Sequence, residues 1–233
     1  MIAQRMKELL STGVVLDKET GEYRPVHYRD MVILTRSLQG WAEVFASILA
    51  EEGIPAYSVS REGYFETYEV SVLLDYLKVL DNARQDLPLT AVLTSPFAGL
   101  TAAELSVIRL AYPNQLFYEA VEGFCSLSPE EIPETVDKKQ AIQVQEKLRK
   151  FFEVLDHFRE ILPYTAIHDL LAEIIDKTGY GLFISAMPGG AQRQANVEML
   201  VEKARAFEGT SYKGLFNFVR YIEQLKKYDV DYG

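Results

Sequence analysis

The sequence predicts a mainly α protein, in which a small, partial α/β portion precedes a larger all-helical domain. Three observations carry this expectation. The consecutive apolar run Met31-Val32-Ile33-Leu34 is the most strand-like stretch of the chain. From about residue 60 onward, apolar residues recur instead at the three- and four-residue spacing of amphipathic helices. Gly and Pro then punctuate the junctions between those helices.

The elements follow in order. Ile2, Met6, Leu9 and Leu10 share one face of a helix over 2–10, and Gly13, Gly21 and Pro25 mark 12–27 as a turn-rich connection. A strand is expected at about 30–35, and its unbroken apolar character suits cover on both faces, as in a parallel sheet. Residues 40–52 form a helix with Trp41, Val44, Phe45, Ile48 and Leu49 inward. Gly53 stands at its C-cap and Pro55 prevents continuation. Residues 56–59 can then be a second strand, completing a strand-helix-strand unit. Two strands alone make a marginal sheet in water, so these are expected to belong to a sheet completed elsewhere.

Helices are predicted at 67–81, with Val70, Leu73, Leu74, Leu77 and Leu80 inward, then at about 86–94, 101–111 and 114–123. The Pro- and Glu-rich stretch 126–136 is a loop. A long helix over 137–161, stopped by Pro163, precedes helices at 165–177, 179–186, 191–208 and 211–228. The expected division is therefore 1–59 and 60–233.

The 233 residues are 48% hydrophobic and carry 24 Lys and Arg against 34 Asp and Glu, a net charge of −10. Such a chain buries a substantial core, but its overall field opposes phosphate, so nucleic-acid binding needs a local basic surface or a partner. No stretch is apolar for long enough to span a bilayer. A single cysteine, Cys125, excludes an internal disulfide framework and suits a cytoplasmic setting, and with three dispersed histidines it makes a zinc site implausible.

No phosphate-binding loop, dinucleotide fingerprint, zinc-protease motif or nucleophile elbow is present. His157 and His168 fall on helix surfaces, and Cys125 sits among apolar neighbours. Glu130, Glu131 and Glu134 read as solvated charge rather than as an acid and a base. Arg36 and Ser37 follow the first strand, where α/β sheets bind ligands, and offer a guanidinium fork and a hydroxyl to a phosphate; a surface arginine capping the strand is the plainer alternative. Tyr64 and Phe65 precede a helix, where they either stack on bases or pack a hinge. Arg193, Lys203, Lys213, Arg205, Arg220, Lys226 and Lys227 outnumber the nearby glutamates Glu198, Glu202, Glu208 and Glu223. They read as a modest DNA-facing stripe or as mixed helical surface charge.

Several segments taken together are similar to a known family. "YRDMVILTRS", "ILAEEGIPAYSVSREGYFETYEVSVLLDYLKVLDNARQDLPLTAVLTSPFAGLTAAEL" and "RQANVEMLVEKARAFE" resemble superfamily 1 DNA helicases of the UvrD/Rep/PcrA type. "DKETGEYRPVHYRDMVIL" and "SYKGLFNFVRYIEQLKK" resemble their AddA branch, subunits of bacterial ATP-dependent helicase/nucleases that process DNA ends for recombinational repair.

The resemblance implies that 1–59 is part of the RecA-like subdomain 2A and 60–233 the helical 2B insertion. It implies single-stranded DNA contacts at Arg36 and Ser37, within an LxRS motif beginning at Leu34, and a crossing between subdomains at Tyr64-Phe65-Glu66. It leaves Tyr64, Phe65, Arg193, Lys203 and Arg205 as further DNA-binding candidates. The family's phosphate loop, Asp-Glu box, arginine fingers, "HKSKGLEFP" signature and nuclease domain have no counterpart here. ATP and Mg²⁺ are therefore implied for the parent and no cofactor for this chain. The partners implied are DNA and an AddB-like subunit. The Gly-Ile-Gly duplex-gripping hairpin of UvrD-like relatives falls near Pro96–Leu100, where only Gly99 matches and no basic residue accompanies it. The competing expectation is a free-standing, acidic, helical protein-interaction module.

Overall fold

The computed structural model describes residues 1–18, 20–34, 42–56, 63–134 and 136–227, and the chain divides into two units, Met1–Glu62 and Gly63–Gly233. Eleven α-helices and one two-stranded sheet lie among the described residues, a mainly α fold.

In the first unit, helix α1 (Ile2–Thr12) is joined to the end of α2 (Ala42–Glu51) by a 2.7 Å ion pair between Lys7 and Glu52. Helix α2 ends as its sequence requires. Gly53 adopts a φ of +70°, a conformation that costs other residues a Cβ clash, and Ile54 donates back to the Leu49 carbonyl. Leu49 and Ile54 are the buried anchors of this ending.

Between α1 and α2 the structure departs from expectation. Residues 12–27 contain an antiparallel hairpin, β1 (Val14–Leu16) and β2 (Tyr23–Pro25), with Val15 opposite Arg24. Three-residue strands, one closed by a proline that cannot donate, leave almost no period to read. The hairpin is clamped from one side. Arg24 donates to both carboxylate oxygens of Asp30 at 2.6 and 2.7 Å and to Asp17 at 3.2 Å. The guanidinium and the His27 backbone N–H together hold the Asp30 carboxyl well below the ordinary carboxylate range.

The start of the strand expected at 30–35 is corrected, and position 35 lies outside the described residues. Tyr28–Asp30 is a 3₁₀ turn, Met31 is extended, and residues 31–34 have no ladder partner among the described residues. Burial alternates instead of covering both faces, leaving Val32 76% and Leu34 87% exposed. An extended segment becomes a strand only when a neighbour takes its N–H and C=O groups. The second expected strand, 56–59, lies outside the described residues from position 57 onward.

The second unit is built around α3 (Tyr68–Asp81). Its sequence face of Val70, Leu73, Leu77 and Leu80 is buried, and so are Val72, Tyr76 and Val79 on the flanks. A helix apolar on most of its circumference belongs in a core. Helices α4 (Asp86–Thr94), α7 (Lys138–Ile161), α10 (Gly190–Glu208) and α11 (Leu215–Lys227) pack against it. Between them run α5 (Ala102–Ala111), α6 (Phe117–Ser126), α8 (Ile167–Lys177) and α9 (Tyr180–Ser185).

Two polar devices lock this arrangement. Gln145 on α7, 3% exposed, donates to the Phe124 and Leu127 carbonyls at 2.8 and 2.9 Å, satisfying the open end of α6. Thr101 and Glu104 form a reciprocal capping box at the start of α5.

Candidate functional site

Tyr64-Phe65-Glu66 forms a 3₁₀ turn immediately before α3, placing both rings inside the second unit at 5% and 3% exposure. The rings meet edge to face at 4.9 Å. On α10, Arg193, Asn196, Leu200 and Lys203 are spaced by three, four and three residues, so one helical face carries all four. That face meets the turn and the first residues of α3. The Tyr64 hydroxyl donates to the Asn196 carbonyl at 2.7 Å. The Lys203 ammonium lies 5.4 Å from the Tyr64 ring centroid and 5.9 Å from that of Phe65, within cation–π range.

The centre of the joint is Glu69. Its side chain is 2% exposed and accepts from Arg193 Nη1 at 2.5 Å and from Asn196 Nδ2 at 2.6 Å. Arg193 also donates through Nε to the Pro188 carbonyl, and Tyr180 of α9 donates to the Glu69 carbonyl at 3.0 Å. The buried carboxylate thus has a cation and an amide, without which its desolvation would be prohibitive. Burial, helped by the Glu69 charge, pushes the Tyr64 phenol above its ordinary range, so its hydroxyl stays a donor. Burial alone pushes the Lys203 ammonium down.

The structure therefore brings together four candidates, Tyr64, Phe65, Arg193 and Lys203, as a joint between α3, α9 and α10. Of the two readings of the aromatic pair, packing accounts for their placement, because a base needs an open ring face. Arg205 stands apart, exposed and paired at 3.0 Å with Glu202 on its own helix. Arg36 and Ser37 lie outside the described residues. Sequence reasoning misses Glu69 and Asn196. The available signal is a carboxylate in helical register with Leu73, Tyr76 and Leu80, which demands a buried cation without naming it.

The turn at Pro96–Leu100 is likewise completed by distant residues. Phe97 is held between Tyr76, at 4.4 Å, and Tyr180, stacked at 4.9 Å and 12°. No basic residue adjoins the turn in sequence, but Lys147 of α7 donates to the Gly99 carbonyl at 3.0 Å while pairing with Glu104 at 2.8 Å.

None of these arrangements is a reaction centre. Burial raises the Cys125 thiol to about 11, far from a nucleophile's range. His168 bonds Glu208, and His157 contacts Lys177. Glu131 accepts from the Ser128 N–H as a turn cap. No cluster of His, Cys, Asp and Glu suited to a metal occurs among the described residues, and no described helix is long and apolar enough to cross a membrane.

Residues 2–229 match the UvrD-like helicase C-terminal domain. The chain belongs to that family. Over its whole length it is 41% identical to AddA, an ATP-dependent helicase/nuclease subunit, of Lachnoclostridium phytofermentans and 41% identical to AddA of Heliobacterium modesticaldum. Over 94% of its length it is 41% identical to the protein of the same name from Oceanobacillus iheyensis. It spans 20%, 17% and 17% of these relatives, respectively. Within this UvrD-like domain, the Tyr64-Phe65-Glu66 turn opens the helical unit, and the Glu69–Arg193 pair ties that opening to α10.

Proposed function

We propose that this chain is the non-hydrolysing DNA-handling region of an ATP-dependent helicase/nuclease subunit that acts in DNA end processing and recombinational break repair. The observation that supports it is the match of residues 2–229 to a helicase C-terminal domain, joined to full-length similarity to helicase/nuclease subunits. On this reading residues 1–59 are part of a RecA-like 2A subdomain and 60–233 are a 2B-type insertion. ATP and Mg²⁺ are held by motor segments with no counterpart here. The partners, in the cytoplasm, are DNA and an AddB-like subunit.

Arg36 and Ser37 contact the phosphates of single-stranded DNA, for which a guanidinium fork and a hydroxyl are suited. Tyr64, Phe65, Arg193 and Lys203 hold the helical unit in shape where it begins. Arg205, exposed, is the remaining candidate for a DNA backbone contact.

The test is Arg36→Ala in the full helicase/nuclease, with single-stranded DNA affinity measured at low salt. Loss of a charged hydrogen bond worth about 1.5–3 kcal/mol predicts at least a tenfold weakening. Equal affinity in mutant and wild type overturns the assignment. The isolated chain should bind DNA weakly and salt-sensitively and hydrolyse no ATP.

A further inference from the structure

An open groove of about 750 Å³ runs between α8, α9 and α10. Its accessible apolar lining comes from Ile175 on α8 and Val201 on α10, above the core residues Ile184 and Val197 at 0% and 3% exposure, and Leu182 stands at the lip 79% exposed. Ala172, Gly179, Gly181 and Ser185 contribute little side-chain bulk, so a backbone can approach closely. Of the five polar side chains that line it, three are acidic, Asp176 from α8 and Glu198 and Glu202 from α10, and the other two, Ser185 and Gln194, are neutral.

These charges are only partly answered within the chain. Glu202 pairs with Arg205, which is itself exposed. Glu198 accepts a bond from the neutral Gln194 amide at 3.2 Å. Lys177, next to Asp176, is committed to Glu173 at 2.6 Å. Neither Asp176 nor Glu198 takes part in an ion pair among the described residues.

We propose that this groove docks a basic amphipathic helix of a partner protein, its apolar side against Ile175, Leu182 and Val201 and its Lys or Arg residues against Asp176, Glu198 and Glu202. Helix-in-groove recognition pairs an apolar seam with complementary flanking charge. A nucleic acid is a poor occupant, because three carboxylates repel phosphate. A second copy is disfavoured for the same reason: it would bring another chain of net charge −10 against a rim of its own sign. The proposal stands whether or not the DNA-handling reading holds.

The test uses the 233-residue chain and a fluorescent synthetic helix with leucines along one face and lysines flanking them, followed by anisotropy. The wild type should bind this peptide in preference to a twin with glutamates in place of the lysines. Leu182→Asp and the pair Asp176→Lys with Glu198→Lys should each weaken binding at least tenfold, and the charge-reversed variant should gain affinity for the glutamate peptide. These positions are exposed, and circular dichroism checks that the variants fold. Reversing Glu130 and Glu131, an equal change in net charge outside the groove, should leave affinity unchanged. Equal loss at both places would reduce the effect to bulk charge and overturn the proposal. So would failure of the lysine peptide to bind, or a concentration-dependent dimer that Leu182→Asp dissolves.

Discussion

Removing Arg193 should cost the helical unit more than removing its partner Glu69, although they form one ion pair. Arg193→Met retains much of the aliphatic stem and leaves the Glu69 carboxylate, 2% exposed, with only the Asn196 amide at 2.6 Å. Stripping one partner from a buried pair costs about 3–5 kcal/mol, since the remaining charge is left in low dielectric. Arg193 itself is 21% exposed, so water can reach the vacated position, which places the cost near the bottom of that range. At about 2–4 °C per kcal/mol for a domain of this size, 3 kcal/mol lowers Tm by about 6–12 °C. Glu69→Gln leaves a neutral amide, and the freed guanidinium can turn toward solvent, so about 1–2 kcal/mol is expected. The double variant should lose less than the sum of the singles, because neither charge remains to be stranded. Thermal melts followed by far-ultraviolet circular dichroism measure all three. An Arg193→Met Tm within about 2 °C of wild type would refute the reasoning, since it would mean that Glu69 is not held as a buried charge.

Three further outcomes are expected. Burial pushes the Glu104 carboxyl up, but bonds from Lys147 and from Thr101 outweigh it and hold its pKa below the ordinary value. Its stabilisation is therefore complete above the unfolded pKa of about 4.3 and disappears as pH falls through the lower folded value. Glu104→Ala should cost about 1–2 kcal/mol at neutral pH, and melts repeated toward low pH should show the gap closing; a gap independent of pH would contradict this. Cys125, with its thiol at about 11, should label roughly a hundredfold more slowly at pH 8 in the folded protein than in denaturant, and comparable rates would refute its burial. Gly190→Ala puts a Cβ 2.1 Å from the Ser185 carbonyl oxygen, a backbone atom that cannot swing aside. A loss of about 1–3 kcal/mol is expected from denaturant melts, and none would show that the α9–α10 junction yields freely.

The helical unit is readable because its signals are local. The helix predicted over 86–94 occupies those residues, and those predicted over 67–81 and 137–161 each lose only their first residue, which becomes the cap. Where a cap or turn draws on a distant or non-periodic contact, the reading slips. The helix expected over 114–123 begins at Phe117 because Pro113 to Leu116 form a turn braced by Arg109, which donates to the Gln115 carbonyl at 2.7 Å. The helix expected from 211 begins at Leu215, after Gly214 turns with a φ of +87°. In the first unit, Met31–Leu34 has strand composition without a described partner. Composition states what a segment tolerates, whereas pairing depends on residues elsewhere.

The candidate site is legible only as a set of needs. Tyr64, Phe65, Arg193 and Lys203 stand out individually, but nothing local joins Glu69 to a guanidinium 124 residues away or the Tyr64 hydroxyl to a carbonyl 132 residues away. Those pairings change what the basic residues of the last third can do. A cation committed to Glu69, and another set over two buried rings, offer a phosphate backbone less than their number suggests, although both side chains stay partly exposed. Arg205, though exposed, pairs with Glu202 at the rim of an acidic groove. Under the proposed docking, the acidic groove beside α10 suits a basic polypeptide better than a phosphate backbone. Under the proposed function, Arg36 and Ser37 in the first unit carry the main phosphate contacts, with Arg205 the remaining candidate in the second unit, whose groove would recognise the opposite charge. Raising the salt concentration should weaken both interactions, but Arg36→Ala should affect only the DNA and Leu182→Asp only the peptide. A single substitution that abolished both would show that the two surfaces are not separate.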